Sequence, residues 1–216
     1  MLKDNQPTYH LPENSISAEP NIETNKIWAF IDTNVVNFPS WYSTVRDVDR
    51  EDRITDAIVQ FFQVCKFKQF DGYAPYDFRP HPTQQYSNRK PDIGIYLLNN
   101  RKDTIIEIEA KIFSSKNSHN KEYVCGETGG IERFKRGLHS SHLPECGMFA
   151  YIFDAQINWL EKINNWIEKL SKTNTDTTIC WSKNEILKPI NTFKYHSCHQ
   201  RKTLDDINLW HYFIEL

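Results

Sequence analysis

The chain has 216 residues and a formal net charge of -2, with 39% apolar and 13% aromatic residues. That length and composition admit one domain with a full core and exclude a disordered or fibrous chain. The near-neutral charge counts against a histone-like, purely electrostatic nucleic-acid binder, while leaving room for a local basic groove.

The N-terminal MLKDNQPTYHLPENS lacks the apolar segment of a signal peptide, and no run of about 18 apolar residues follows. The expectation is a soluble cytoplasmic chain with no membrane partner. The five cysteines, Cys65, Cys125, Cys146, Cys180 and Cys198, are odd in number and widely spaced, which fits reduced thiols. Cys125, His142, Cys146, Cys198 and His199 are the residues a structural zinc would need, but they lack knuckle spacing.

In chain order, residues 1–25 are polar, rich in proline and without a clear period, and read as an arm; residues 26–216 read as one domain. REDRITDAIVQFFQVCKF places Ile54, Ile58, Phe61, Phe62 and Cys65 at helical spacing behind an acidic first turn. PDIGIYLL, the polar break NNRKD and TIIEIEAKIF then read as a β-hairpin. IERFKRGLHSS is a predicted helix with Ile131, Phe134 and Leu138 on one face. MFAYIFD has the pattern of a strand buried on both faces, and AQINWLEKINNWIEKLSK that of an amphipathic helix. TTICW, TFKYHSC and INLWHYFIEL are further strand candidates, the last two joined by a polar turn. The order predicts an α/β fold, a central mixed sheet flanked by helices.

The hairpin carries the chemistry. Side chains alternate along a strand, so Glu107, Glu109 and Lys111 share one face and Ile106, Ile108, Ala110 and Ile112 the other. The apolar face belongs in a core, and the charged face is expected to line something wet or bind an ion. Asp92 opens the preceding strand, where antiparallel pairing brings it near Glu109. Hard cations such as Mg2+ or Mn2+ take one or two carboxylates plus water and phosphate oxygens. Asp92 and Glu109 can supply those ligands, with Lys111 beside them to position or activate water.

Pro91-Asp92 on one strand and Glu109-Ala110-Lys111 on the next resemble the PD and (D/E)XK halves of the PD-(D/E)XK nuclease superfamily, the restriction-endonuclease-like fold. The resemblance spans roughly residues 48–156, with residues 157–216 matching in order of elements only. It implies metal-dependent phosphodiester hydrolysis, most often of DNA, by an endonuclease of restriction, repair or anti-phage defence. It also implies an acid on the helix before the hairpin that helps hold the metal: Glu51 is the first choice and Asp52 the second. Homodimers or partner subunits are common in such systems. Arg89, Lys90, Lys116, Arg133, Lys135 and Arg136 are the candidate phosphate contacts around the site. Lys194, Arg201 and the stretch Ser197-Cys198-His199-Gln200-Arg201 offer a looser second surface.

Two other readings compete. Phe30-Ile31-Asp32-Thr33-Asn34-Val35-Val36 resembles the opening strand of PIN-domain ribonucleases, although the hairpin does not suit their parallel sheet. The other is a nuclease-fold subunit that only binds nucleic acid or protein.

Overall fold

The computed structural model describes residues 20–70, 74–82, 90–126, 129–138 and 140–216. Helices α1 (Pro20–Asn34), α2 (Phe38–Val45) and α3 (Glu51–Gln69) come first, followed by strands β1 (Tyr76–Pro80), β2 (Ile93–Leu97) and β3 (Asn100–Phe113). The short helix α4 (Gly130–Lys135), β4 (Glu145–Ile152) and α5 (Trp159–Thr173) complete the middle of the chain, and β5 (Lys188–Pro189), β6 (Lys194–His199) and β7 (Ile207–Glu215) close it. The seven strands form one mixed sheet in the order β1-β2-β3-β4-β7-β6-β5. β1, β2 and β3 are antiparallel neighbours, β3, β4 and β7 run parallel, and β6 returns antiparallel to β7.

Each face of the sheet is covered by its own core. On one side α1, α2 and α3 bury Ile27, Ile31, Phe38, Ile58 and Phe62 against Ile93, Ile106, Ile108 and Phe149. On the other, α4, α5 and the 3-10 turn Asn120–Tyr123 pack Tyr123, Ile131, Phe134, Ile163 and Ile167 on Phe113, Met148 and Ala150. β4 lies between the two cores, which is why Cys146 to Ile152 are all buried and read as an unbroken apolar run. α3 matches its sequence pattern: Glu51 and Asp52 stand in the first turn, Lys66 and Lys68 in the last, each favourable to the helix dipole. A buried hydrogen bond of 3.2 Å between Thr55 and the Tyr151 hydroxyl ties α3 to β4.

Five expectations need correction. Residues 1–19 of the expected arm lie outside the described residues, and residues 20–25 belong to α1, because Ile27, Phe30 and Ile31 give the segment a buried stripe that extends back to Glu23 and Thr24. The same helix contains Asp32-Thr33-Asn34, which removes the strand that a PIN-like site requires. α4 stops at Lys135: Gly137, at φ 65°, donates its N–H to the Phe134 carbonyl and Leu138 donates to Arg133, the paired bonds of a glycine-terminated helix. Leu138 therefore lies beyond the helix. TTICW forms no strand, since the Asp176 carboxylate accepts from the Thr178 N–H at 2.8 Å and Asn174 donates to the carbonyls of Asp176 and Ile179. Those side chains hold the backbone in a turn. β3, in contrast, begins earlier than expected, at Asn100, so most of NNRKD is strand.

Phe62 is fully buried and its ring lies 5.0 Å from that of Phe78. Phe62→Ala is expected to cost about 3–5 kcal/mol, read as a lower urea midpoint, while Gln60→Ala on the exposed side of α3 stays within about 0.5 kcal/mol. Equal midpoints for the two variants would contradict this packing.

Candidate active site

The site arises where β3 outruns β2. Ile93 pairs with Ile108, so Asp92 and Glu109 occupy the next step of the ladder. Beyond Ile108, β3 keeps its pairing with β4 as far as Phe113 but has no β2 residue beside it. Asp92 takes over there: its Oδ2 accepts the Ala110 N–H at 2.7 Å, so a carboxylate continues what a strand carbonyl would do. The antiparallel approach of Asp92 to Glu109 expected from the sequence is the observed register.

Glu109 is buried, with 1% exposure, and its Oε2 accepts from the Arg133 guanidinium at 3.1 Å. Burial first, and then the charge of Asp92, push its carboxyl up to about 8, against the pull of Lys111 and Arg133. Lys111 donates to Glu51 Oε1 at 2.9 Å and to its own strand's Ala110 carbonyl at 2.7 Å. Burial alone would lower the lysine, but Asp92, Glu51 and Glu109 outweigh it and raise the ammonium above its ordinary value. Glu51, in the first turn of α3, is raised by burial and by Asp92, with Lys111 opposing. The four sequence-chosen groups thus form one electrostatic unit with Arg133. Asp52 stands apart from it, paired with Arg50 at 2.9 Å.

The other candidates divide. Lys90 and Lys116 are exposed, and Arg89 lies outside the described residues. Lys135 is buried, donating to Glu185 at 2.5 Å and to the Gln200 carbonyl, so it has no surface to offer a phosphate. Arg136 is held by Glu132 and Asp176, each at 2.6 Å. Glu107 also departs from expectation. It is fully buried and accepts from the Thr104 and Ser140 hydroxyls, so the charged face of β3 becomes polar core at that point and meets the cluster only from Glu109 onward.

In the terminal hairpin Cys198 and Gln200 are exposed, while the residues between and beside them form an interior network. Ser197, His199 and Arg201 are buried; the Ser197 hydroxyl lies 2.6 Å from His199 Nε2 and 2.7 Å from His211 Nε2. His211 Nδ1 meets the Tyr123 hydroxyl at 2.8 Å. Lys194 is committed to Asp32 at 2.8 Å, and that aspartate also accepts from the Tyr212 hydroxyl. Asp32 is therefore a structural partner.

One neighbour carried no motif in the sequence. His81 has a left-handed backbone, φ 45°, donates its N–H to the Asp92 carbonyl at 2.8 Å, and holds Nδ1 3.9 Å from Asp92 Oδ1 and Nε2 3.8 Å from Asp56. The flanking prolines in Arg79-Pro80-His81-Pro82 were the one available signal of an unusual turn.

Among the described residues no three His, Cys, Asp or Glu side chains converge as a ready-made metal-ligand set, the cysteine and histidine candidates included. What the cluster offers is two carboxylates on adjacent strands, with a third one turned to Lys111. No helix among the described residues is long and apolar enough to cross a membrane. No protein-family model matches the chain, and comparison with curated proteins and with solved structures gives no significant match.

The elevated Glu109 fixes a pH dependence. Its folded value exceeds its unfolded one, so its contribution to stability is present below the ordinary carboxylate range and is lost as pH rises through about 8. In chelator, Glu109→Gln is expected to gain about 3 °C or more in Tm over wild type between pH 5 and pH 9. Parallel Tm curves for the two proteins would show that the carboxyl is not held in this way.

Proposed function

We propose that the chain is a divalent-metal-dependent nuclease of the PD-(D/E)XK, restriction-endonuclease-like kind, hydrolysing phosphodiester bonds in DNA. The observation that carries the reading is the meeting of Asp92, Glu109 and Lys111 where β3 passes the end of β2. The order of elements supports it: α3, three antiparallel strands, α4 and a strand parallel to the third.

The donor set fits Mg2+ or Mn2+. Its oxygens are hard, and two carboxylates on adjacent strands are the complement such ions take from a protein, with water and substrate filling the remaining positions. Burial first, and then the charge of Asp92, raise Glu109, and a divalent cation between the two carboxylates would offset both. Asp92 and Glu109 would hold the ion, with Glu51 assisting. Its contribution when bound is Lewis-acid polarisation of the phosphodiester.

The protein's own groups supply the rest. The Ala110 N–H fixes the Asp92 carboxylate, so this ligand is oriented by backbone and not by a mobile partner. Lys111, kept protonated by three carboxylates, acts as a cation that orients the attacking water and offsets charge on the phosphate oxygens. Its raised value supports a positioning role over that of a general base, which would need a lowered one. Exposed Lys90 and Lys116 remain as phosphate contacts. DNA as substrate, the restriction, repair or defence setting, and a homodimer or partner subunit that completes double-strand cleavage rest on the resemblance.

Purified protein incubated with plasmid DNA, single-stranded DNA and RNA in Mg2+ or Mn2+ should cut DNA, and chelator should abolish the cutting. Asp92→Ala, Glu109→Ala and Lys111→Ala are each expected to lower the rate at least about 100-fold. Three variants as active as wild type would overturn the site. A wild type that shifts DNA in a gel without cutting it would favour the binding-subunit reading.

A further inference from the structure

Arg133 enters this site from α4, and its position is unusual for a phosphate contact. It points inward, 3.1 Å from the buried Glu109 carboxylate, with 20% of its side chain exposed. Its Nε is buried with no hydrogen-bond partner among the described residues, so Glu109 is what holds the guanidinium in place. Three carboxylates, Glu51, Asp92 and Glu109, face two fixed cations, Lys111 and Arg133. With all three carboxyls ionised, the form in which they ligate a cation, these five groups sum to one net negative charge. A divalent cation added with Arg133 in place would leave one net positive charge in a largely buried site, whereas the same cation with Arg133 departed leaves it neutral.

Resting on the nuclease reading, we propose that Arg133 is an electrostatic lock: it occupies Glu109 until a divalent cation displaces it, and the freed guanidinium then binds a phosphate of the nucleic acid. Metal and arginine exclude one another at the same carboxylate. The site thereby couples metal loading to substrate binding, since the charge expelled by one is the charge the other requires. The bidentate preference of guanidinium for phosphate gives the released side chain a partner at least as good as the carboxylate it leaves.

The coupling is read by binding, without turnover. Mn2+ affinity, followed by electron paramagnetic resonance, is expected to be about 10-fold tighter in Arg133→Met and Arg133→Gln than in wild type, and to be lost in Glu109→Gln. Mg2+ should also mobilise the Arg133 Nε–H in wild-type side-chain NMR, a test that needs no substitution. The metal-dependent gain in affinity for a short DNA duplex with a non-hydrolysable backbone should be present in wild type and absent from both Arg133 variants. Equal or weaker Mn2+ binding in both variants, with Glu109→Gln still defective, overturns the lock and leaves the nuclease reading standing. No Mn2+ binding in wild type or variants overturns both.

Discussion

β3 is bonded to β4 as far as Phe113 but parts from β2 after Ile108, and the exposed edge that results has to be satisfied. An amide hydrogen left without a partner there would cost about 1–3 kcal/mol. Asp92 meets that requirement for Ala110 with its side chain. The same bond fixes a carboxylate beside Glu109, so a demand of sheet geometry creates a charged cluster at the end of a strand pair. The glycine-poor, isoleucine-rich character of β3 then matters less for propensity than for anchoring, since Ile106, Ile108 and Ala110 are fully buried against the α1–α3 layer.

With that edge in place, the rest of the cluster follows from charge. A carboxylate as buried as Glu109 is unfavourable unless cations face it, and Lys111 and Arg133 do so from β3 and α4. Lys111 is in turn shared with Glu51 at the start of α3, so the helix N-terminus, the strand pair and α4 are tied to one set of interactions. The buried ring of Tyr123, His211, Ser197 and His199 has a different character. Burial lowers both histidines, His211 strongly, and their hydrogen bonds tie β6 and β7 to Tyr123.

Much of this was legible in the residues. The alternation in TIIEIEAKIF and the placement of Asp92 fix both the hairpin and the pairing of the two acids, because a one-residue slip would turn Ile106, Ile108 and Ala110 away from the α1–α3 layer. The 3.6-residue period of α3 and the unbroken apolar run of β4 were equally readable. α1 was missed because its polar start resembles an arm until Ile27, and its stripe is defined by a sheet that forms much later in the chain. Arg133, Lys135 and Arg136 look alike in sequence and diverge in the structure. Lys135 and Arg136 find Glu185 and Asp176 some forty or fifty positions away, and Arg133 finds Glu109 across the β3–α4 connection. Local pattern carries no record of such partners. His81 was signalled only by its flanking prolines, since its interest lies in the φ it adopts beside Asp92.

The central claim is that Asp92 and Glu109 together form one cation site at the edge β3 leaves open. The most direct measurement is a crystal structure grown with Mn2+ and examined by anomalous scattering. The account predicts a single strong peak within about 2.0–2.4 Å of a carboxylate oxygen from each residue. A peak elsewhere, with the Asp92 and Glu109 carboxylates both retaining the partners described above, would contradict it.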